Sequence, residues 1–394
     1  MRSLEETLGQ LEAAQLRRRR ITVESFASPG DRVRLNVEGC ELTDFSSNDY
    51  LGLARHPALA QAMAESARIA GAGSAASHLV SGHGREHQQL EEELAEFTHR
   101  ERALLFTSGY AANLAVMTSL AGRGERAVLD RLCHASLIDG ARLSGATLKR
   151  YAHADAQAAQ QMLNAGEEQA ALLATDGVFS MDGDLAPLPA LAQAARASKA
   201  WLVVDDAHGL GVIGANGGGT LEHFGLDAGA APVLVGTLGK AFGSFGAFVA
   251  GDAALIEFLI QKARSYIYTT ALPQPVAAAS RAALGLLIRE GWRRERLGEL
   301  TARFRGRALA AGIPLTASAT PIQPVLLGAA AAAVAAQERL KAAGFLVIAI
   351  RPPTVPAGGA RLRVTLSAAH SEAQVDALVD ALALACEHAR GEPA

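Results

Sequence analysis

The stretch VGTLGKAFGSFGAFVAG, Val235 to Gly251, places one charged side chain, Lys240, among glycines and small or apolar residues directly after a β-branched run. A lysine flanked by Gly239 and Gly243 can be approached closely by a planar ligand, and an apolar setting favours its neutral, nucleophilic amine. That is the setting of a Schiff-base lysine. The plainer reading is a lysine whose stem packs while its head reaches water at a strand end. The rest of the chain decides between them.

Upstream, short apolar runs alternate with amphipathic segments of helical spacing. ALLF (Ala103 to Phe106) precedes YAANLAVMTSLAG, AVLD (Ala127 to Asp130) precedes HASLIDGARLSG, and ALLAT (Ala171 to Thr175) precedes PLPALAQAARAS; WLVVD (Trp201 to Asp205) and PVLVGT (Pro232 to Thr237) follow. Strand, helix, strand predicts an α/β fold with a mostly parallel sheet covered on both faces. Ligands of such sheets sit outside the carboxyl ends of the strands. Ser108 and Gly109, His134, Asp176 and Ser180, Asp205 and His208, and Lys240 all fall at those ends. After about residue 284 the pattern changes to a long helical stretch, short strands such as FLVIAI (Phe345 to Ile350) and RLRVTL (Arg361 to Leu366), and a final helix. The organisation read from this is an N-terminal arm (1–48), a large cofactor-binding domain (49–283) and a smaller C-terminal α+β domain (284–394).

Composition excludes several classes of function. Of 394 residues 49% are hydrophobic, enough for one large and one smaller core. Thirty-seven basic against forty acidic residues give no global attraction to nucleic acid or anionic membrane; Arg17 to Arg20 form only a short basic run. Cys40, Cys133 and Cys386 are odd in number and far apart, which argues against a disulfide framework or zinc site and suits a reducing cytosol. No apolar run is long enough to span a bilayer, and MRSLEETLGQLEAAQ lacks the apolar segment of a signal peptide. No metal is expected.

GLGVIG, Gly209 to Gly214, matches a dinucleotide fingerprint in letters only: DDAH separates it from the strand, and ANGGGT, a loop composition, follows where a helix should begin. Asp205, ending a buried run with a lysine at the next strand end, suits pyridoxal phosphate. The lysine would hold the aldehyde carbon, and the carboxylate would keep the pyridine nitrogen protonated so that the ring accepts electrons. His208 could reach the ring's phenolic oxygen, whereas Asp206 is assigned to structure. TSGYAAN sets Ser108, Gly109 and Tyr110 at a helix start, where free N–H groups favour a phosphate, although Ser108 would serve equally as a simple cap. Thr237 could add a phosphate contact, and His134 could stack on the ring.

SSNDYLGL (Ser46 to Leu53), TSGYAAN, VFSMDGD (Val178 to Asp184), VDDAHGLGVIG, TLGKAFG and IRPPTVPAGGARLRVTLSAAH (Ile350 to His370) closely resemble the α-oxoamine synthases, pyridoxal-phosphate enzymes of the aspartate-aminotransferase fold type I. The resemblance runs from about residue 16 to 385. It implies that Lys240 is the cofactor-bound lysine and acid/base for the α-proton, Asp205 the pyridinium partner, His208 and Ser180 the groups at the phenolic oxygen, and His134 the stacking ring. It further implies that Ser108, Gly109, Tyr110 and Thr237 contact the cofactor. Arg18, Asn48, His134, Arg351, Thr354 and Arg361 are the implied substrate contacts, with Arg351 or Arg361 pairing the amino-acid carboxylate.

Within the family, IRPPTVPAG-x-ARLR is most similar to the members that join L-alanine to a pimeloyl thioester in biotin biosynthesis. Such an enzyme is expected to be a cytoplasmic homodimer with its active site at the subunit interface, where Thr269 or Thr270 of a second copy reaches the phosphate. A sibling condensing glycine with an acyl-CoA, such as a glycine C-acetyltransferase, would share every cofactor residue. A catalytically dead scaffold would not need Lys240, Asp205 and His208 intact. Two departures stand out: Ala75 and Ala76 with His83 in GAGSAASHLVSGHG, where relatives usually have glycines and other residues, and Asp176 in place of the usual glutamate.

Overall fold

The computed structural model describes residues 3–14, 16–18, 20–28 and 31–391. The chain divides into two compact units. One comprises 53–180 and 185–294; the other comprises 1–52, 181–184 and 295–394.

The large unit is built on a seven-stranded sheet. In spatial order its strands are Arg102–Phe106, Ala247–Gly251, Val233–Thr237, Trp201–Asp205, Gln169–Asp176, Glu125–Asp130 and Thr147–Tyr151. All run parallel except Ala247–Gly251, which pairs antiparallel with both neighbours. Central strands read as continuous apolar runs because both faces are covered: Leu172, Leu173, Val203, Val204, Val233 and Val235 are all buried.

Two strands escaped the sequence pattern, for different reasons. Thr147–Tyr151 (TLKRY) is an edge strand and carries the charges that edges tolerate. Ala247–Gly251 (AFVAG) closes the quoted stretch itself. It returns beside Val233–Thr237, so the lysine sits in the loop of a hairpin rather than at the start of a crossover.

Helices Gly109–Leu120 and Ala135–Ser144 pack on this sheet and against each other. Their approach is close: a Cβ on Gly140 would lie 2.7 Å from Met117 Cβ. A glycine at 140 therefore sets the spacing of two helices whose N-terminal ends carry Gly109, Tyr110 and Asn113 on one side and His134 and Ser136 on the other.

The second unit holds a four-stranded sheet and a three-stranded one, ordered Val23–Ser28, Asp31–Val37, Cys40–Asp44, Phe345–Leu346 and Ile322–Gly328, Ala360–Thr365, Ile348–Ile350. FLVIAI is thus not one strand. The chain leaves Cys40–Asp44 at Leu346 and joins Ala360–Thr365 at Ile348, turning at the buried Val347. Ile322–Gly328, unforeseen, contains Pro324 and lies at a sheet edge, where a missing N–H is harmless. The long helical stretch resolves into Gln274–Arg289, which belongs to the large unit, and Trp292–Ala310. No helix among the described residues is long and apolar enough to cross a membrane.

Candidate active site

Strand register brings the predicted residues to one edge of the large sheet. Asp176 pairs with Asp205, and Asp205 with Val235, so two strands end in aspartates side by side while the next runs on to Thr237. Beyond it the chain turns at once: Gly243 N–H donates to Lys240 O, and Leu238 N–H donates to Gly246 O at 2.9 Å. Gly243 has φ +63, and a Cβ there would lie 2.3 Å from Ala54 N, so no other residue fits. This turn holds Lys240 with Nζ 2.8 Å from His208 Nε2. Either the ammonium donates to a neutral imidazole or the free amine accepts from it. Thr237 Oγ1 donates to Gly246 O and accepts from Gly239 N–H, bracing the same loop.

Asp205, 7% exposed, is anchored through both oxygens: Oδ1 accepts from Ala207 N–H at 3.1 Å and Oδ2 from Asn113 Nδ2 at 2.6 Å. Asn113 Nδ2 also donates to Ser136 Oγ at 2.9 Å, and Ser136 Oγ lies 2.7 Å from His134 Nδ1. Asn113 and Ser136 are therefore functional neighbours that the sequence reading passed over. The signal was present, since Asn113 is the one amide in the TSGYAAN helix start, but only packing shows where it points.

Burial lowers the His134 pKa against the attraction of Asp205, with Lys240 lowering it further. Asp176, wholly buried, accepts from His134 N–H at 3.2 Å, and burial together with Asp205 pushes its carboxyl well above the usual range. The shorter acid at 176 is thus a structural clamp on the start of helix Ala135–Ser144. Asp206 faces away and is fully buried. Cβ atoms on Gly177, Gly209 and Gly219 would lie 2.5, 2.0 and 2.0 Å from its carboxyl oxygens, and Thr220 N–H donates to Oδ2 at 2.7 Å. Gly209 of GLGVIG makes room for this acid; the segment is turns, and the next helix, Gly219–His223, begins only after Gly214.

These residues fit pyridoxal phosphate. Ser108 caps helix Gly109–Leu120 by accepting from Ala111 N–H, which leaves the N–H groups of Gly109 and Tyr110 without an acceptor among the described residues. Nothing lies within 4 Å of a Cβ built on Gly109. Free donors at a helix N-terminus, a lysine amine, and a carboxylate whose oxygens each retain an acceptor position supply the three attachments the cofactor needs. Tyr110 donates through its hydroxyl to Asp139 at 2.8 Å, and Ser180 is half-buried just beyond Asp176. Thr269 is half-buried and Thr270 exposed.

Apart from His134, the predicted substrate residues lie in the other unit. Arg18 Nη2 donates to Thr354 Oγ1 at 3.1 Å, joining two of them, and Arg19 lies outside the described residues. Arg17, Arg18, Arg20, Arg351 and Thr354 line a cavity of about 750 Å³. Arg361 is engaged: Nη1 lies 2.5 Å from Asp182 Oδ1 and also donates to Met181 O. Two residues on, Arg363 Nη1 donates to Asn48 Oδ1 at 3.1 Å and to Thr365 Oγ1, a neighbour of Asn48 that the sequence reading did not single out.

His78, His83 and His87 form a second cluster in the large unit, with ring nitrogens within 4.8 Å of one another. Both nitrogens of His87 are engaged: Nδ1 accepts from Gly84 N–H at 2.9 Å and Nε2 meets Leu272 O. His78 and His83 share one contact at 2.9 Å between their Nδ1 atoms, and burial pushes His78 down to about 3. Ala75, before this cluster, has φ +55, a left-handed conformation that glycine adopts more readily than alanine.

The family model for class I and II aminotransferases matches residues 41–382. An 8-amino-7-oxononanoate synthase from Methylococcus capsulatus is 58% identical over 376 residues, covering 95% of this chain and 96% of its own. Among solved structures, a serine palmitoyltransferase from S. paucimobilis with pyridoxal phosphate and myriocin bound superposes with TM-score 0.91 at 29% identity, over 98% of this chain and 97% of that one. An 8-amino-7-oxononanoate synthase from Francisella tularensis does so with TM-score 0.78 at 32% identity, over 88% and 98%. The chain belongs to the class I and II aminotransferase family, groups there with the 8-amino-7-oxononanoate synthases, and is a pyridoxal-phosphate-dependent enzyme of fold type I.

Proposed function

We propose that this enzyme condenses L-alanine with a pimeloyl thioester, carried by coenzyme A or a carrier protein, to give 8-amino-7-oxononanoate for biotin biosynthesis. A bond forms between the alanine Cα and the thioester carbonyl carbon; the carbon–sulfur bond and the Cα–carboxylate bond break, releasing the thiol and carbon dioxide. When bound, pyridoxal phosphate supplies the electron sink for negative charge at Cα. The observation that carries the reading is the contact of Lys240 with His208 at the sheet edge that also presents Asp205. It is supported by the identity to relatives named for this product.

In this reading Lys240 holds the cofactor and, once displaced by the amino acid, its amine takes the proton from Cα and returns one to the product. Asp205, held by Asn113 and Ala207, would meet the pyridine N–H, His208 and Ser180 would serve the phenolic oxygen, Ser108, Gly109, Tyr110 and Thr237 would hold the phosphate, and His134 would stack on the ring. Arg351 or Arg361, the latter ion-paired with Asp182, pairs the substrate carboxylate in this reading, and Arg363 lies beside Asn48. The arginine-lined cavity at Arg18 and Thr354 suits the far carboxylate of the pimeloyl chain. Dimerisation, with the active site completed by a second copy, and a cytoplasmic location belong to the same proposal.

The test is thiol release. Alanine with pimeloyl-CoA should turn over and glycine with acetyl-CoA should not; turnover of the glycine pair alone would replace this reading by the glycine-using sibling. A yellow band that disappears on borohydride treatment, with the cofactor then fixed to Lys240, is expected first, and its absence would favour the inactive scaffold.

A further inference from the structure

Hydrogen-bond donors around His134 can be assigned one by one. The Asn113 amide nitrogen has two N–H groups, one meeting Asp205 Oδ2 at 2.6 Å and the other Ser136 Oγ at 2.9 Å. Turning this amide over would set its oxygen against a carboxylate oxygen at the same distance, so its orientation is not open. An amide nitrogen only donates. Ser136 Oγ therefore accepts from Asn113, and its own proton points along the 2.7 Å contact to His134 Nδ1. The backbone N–H of Ser136 is directed at the same atom from 3.3 Å. Two donors converge on the lone pair of Nδ1, so the neutral ring carries its proton on Nε2.

We propose that Ser136 and Asn113 are positioning residues that lock His134 in its Nε2–H tautomer and tie that choice to Asp205. Ser136 is wholly buried and Asn113 1% exposed, whereas His134 is exposed. The locked face is thus internal, and the Nε2–H is the group the ring can turn outward. It donates a hydrogen bond to a substrate oxygen, carboxylate or thioester carbonyl, rather than acting as a base. Asp205 enters because its carboxylate fixes the amide that orients the Ser136 hydroxyl. The charged groups around the ring are Asp205, Lys240 and Asp139, with Asp176 on its backbone N–H. The inference rests on the reading of His134 as the ring beside the cofactor.

Solid-state nitrogen spectra of holoenzyme labelled with ¹⁵N-histidine, with His134 assigned by its loss in His134→Gln, test it without substrate. The wild type should show a bare Nδ1 and a protonated Nε2 near neutral pH. Ser136→Ala should shift the tautomer ratio by about fivefold toward Nδ1–H, the effect of one ordinary hydrogen bond, and Ser136→Thr should restore it. Losing a donor to the neutral ring also raises its basicity, so the acidic limb of kcat should move to higher pH in Ser136→Ala with KM for the amino acid little changed. Should Ser136→Ala fail to fold, Asn113→Leu, which frees the same hydroxyl, should give the same shift. A protonated Nδ1 in the wild type, or a wild-type tautomer ratio in the variant that folds, overturns the proposal. A wrong substrate assignment would appear only in the thiol-release assay and leave these spectra unchanged.

Discussion

At the sheet edge, Lys240 meets His208 while Asp205 and His134 are tied through Asn113 and Ser136; around the start of helix Arg85–Phe97, His83 and His87 use both ring nitrogens on His78, Gln88, Gly84 N–H and Leu272 C=O. Three imidazoles within 4.8 Å read as a metal set by residue type alone. Bond by bond, His87 is a helix-capping strut, whereas at the lysine edge the N–H groups of Gly109 and Tyr110 have no acceptor among the described residues. What separates a reactive cluster from a structural one is the number of bonds left open.

The sharpest way to break the comparison is Lys240→Ala. It should leave the protein folded and the cofactor bound while turnover falls roughly ten-thousandfold; a normal rate would remove the lysine from the chemistry. Asp205→Ala should cost about a hundredfold or more in kcat, because a preorganised charge is lost, with bound cofactor checked by its visible absorbance. On the other side, His87→Leu should leave activity per folded molecule unchanged but lower stability by about 2–4 kcal/mol in urea unfolding, since Gly84 N–H and Leu272 C=O lose their partner. His83→Ala should cost under about 1 kcal/mol. Equal effects would mean that the cluster works as a unit.

Asp206 sharpens the contrast with its neighbour Asp205. Burial raises its carboxyl from 3.8 to about 7. The folded state then keeps a proton that the unfolded chain has already released, so this contribution to stability is full at low pH and is lost as pH rises between about 4 and 7. Asp206→Asn should flatten the fall of melting temperature across that window without removing it, because Glu91, also pushed up to about 7 by burial, titrates there too. Smallest is Ala75→Gly, which relieves a left-handed alanine and should raise stability by up to about 1 kcal/mol, partly offset by a more flexible unfolded chain.

Much of the site was legible because its chemistry is carried by single residues in distinctive local settings. A lysine between glycines, an aspartate closing a β-branched run and a serine at a helix start each announce a role. Asn113 and Ser136 did not, since nothing local says that a helix asparagine reaches a strand-end aspartate. Their meeting depends on the close approach of two helices at Gly140. Arg361 and Arg363, two residues apart on one strand, look alike in one dimension. In the fold one meets Asp182 and the other Asn48.

Periodicity and turn residues determined, before any coordinates, that this chain would form a covered parallel sheet with its reactive groups at the strand ends, because apolar runs and glycines act over a few residues. Tertiary structure alone decided the direction of Ala247–Gly251, the break in FLVIAI and the glycine cage around Asp206. Each of these is settled by partners far away in sequence, through packing distance and the requirement that buried donors meet acceptors.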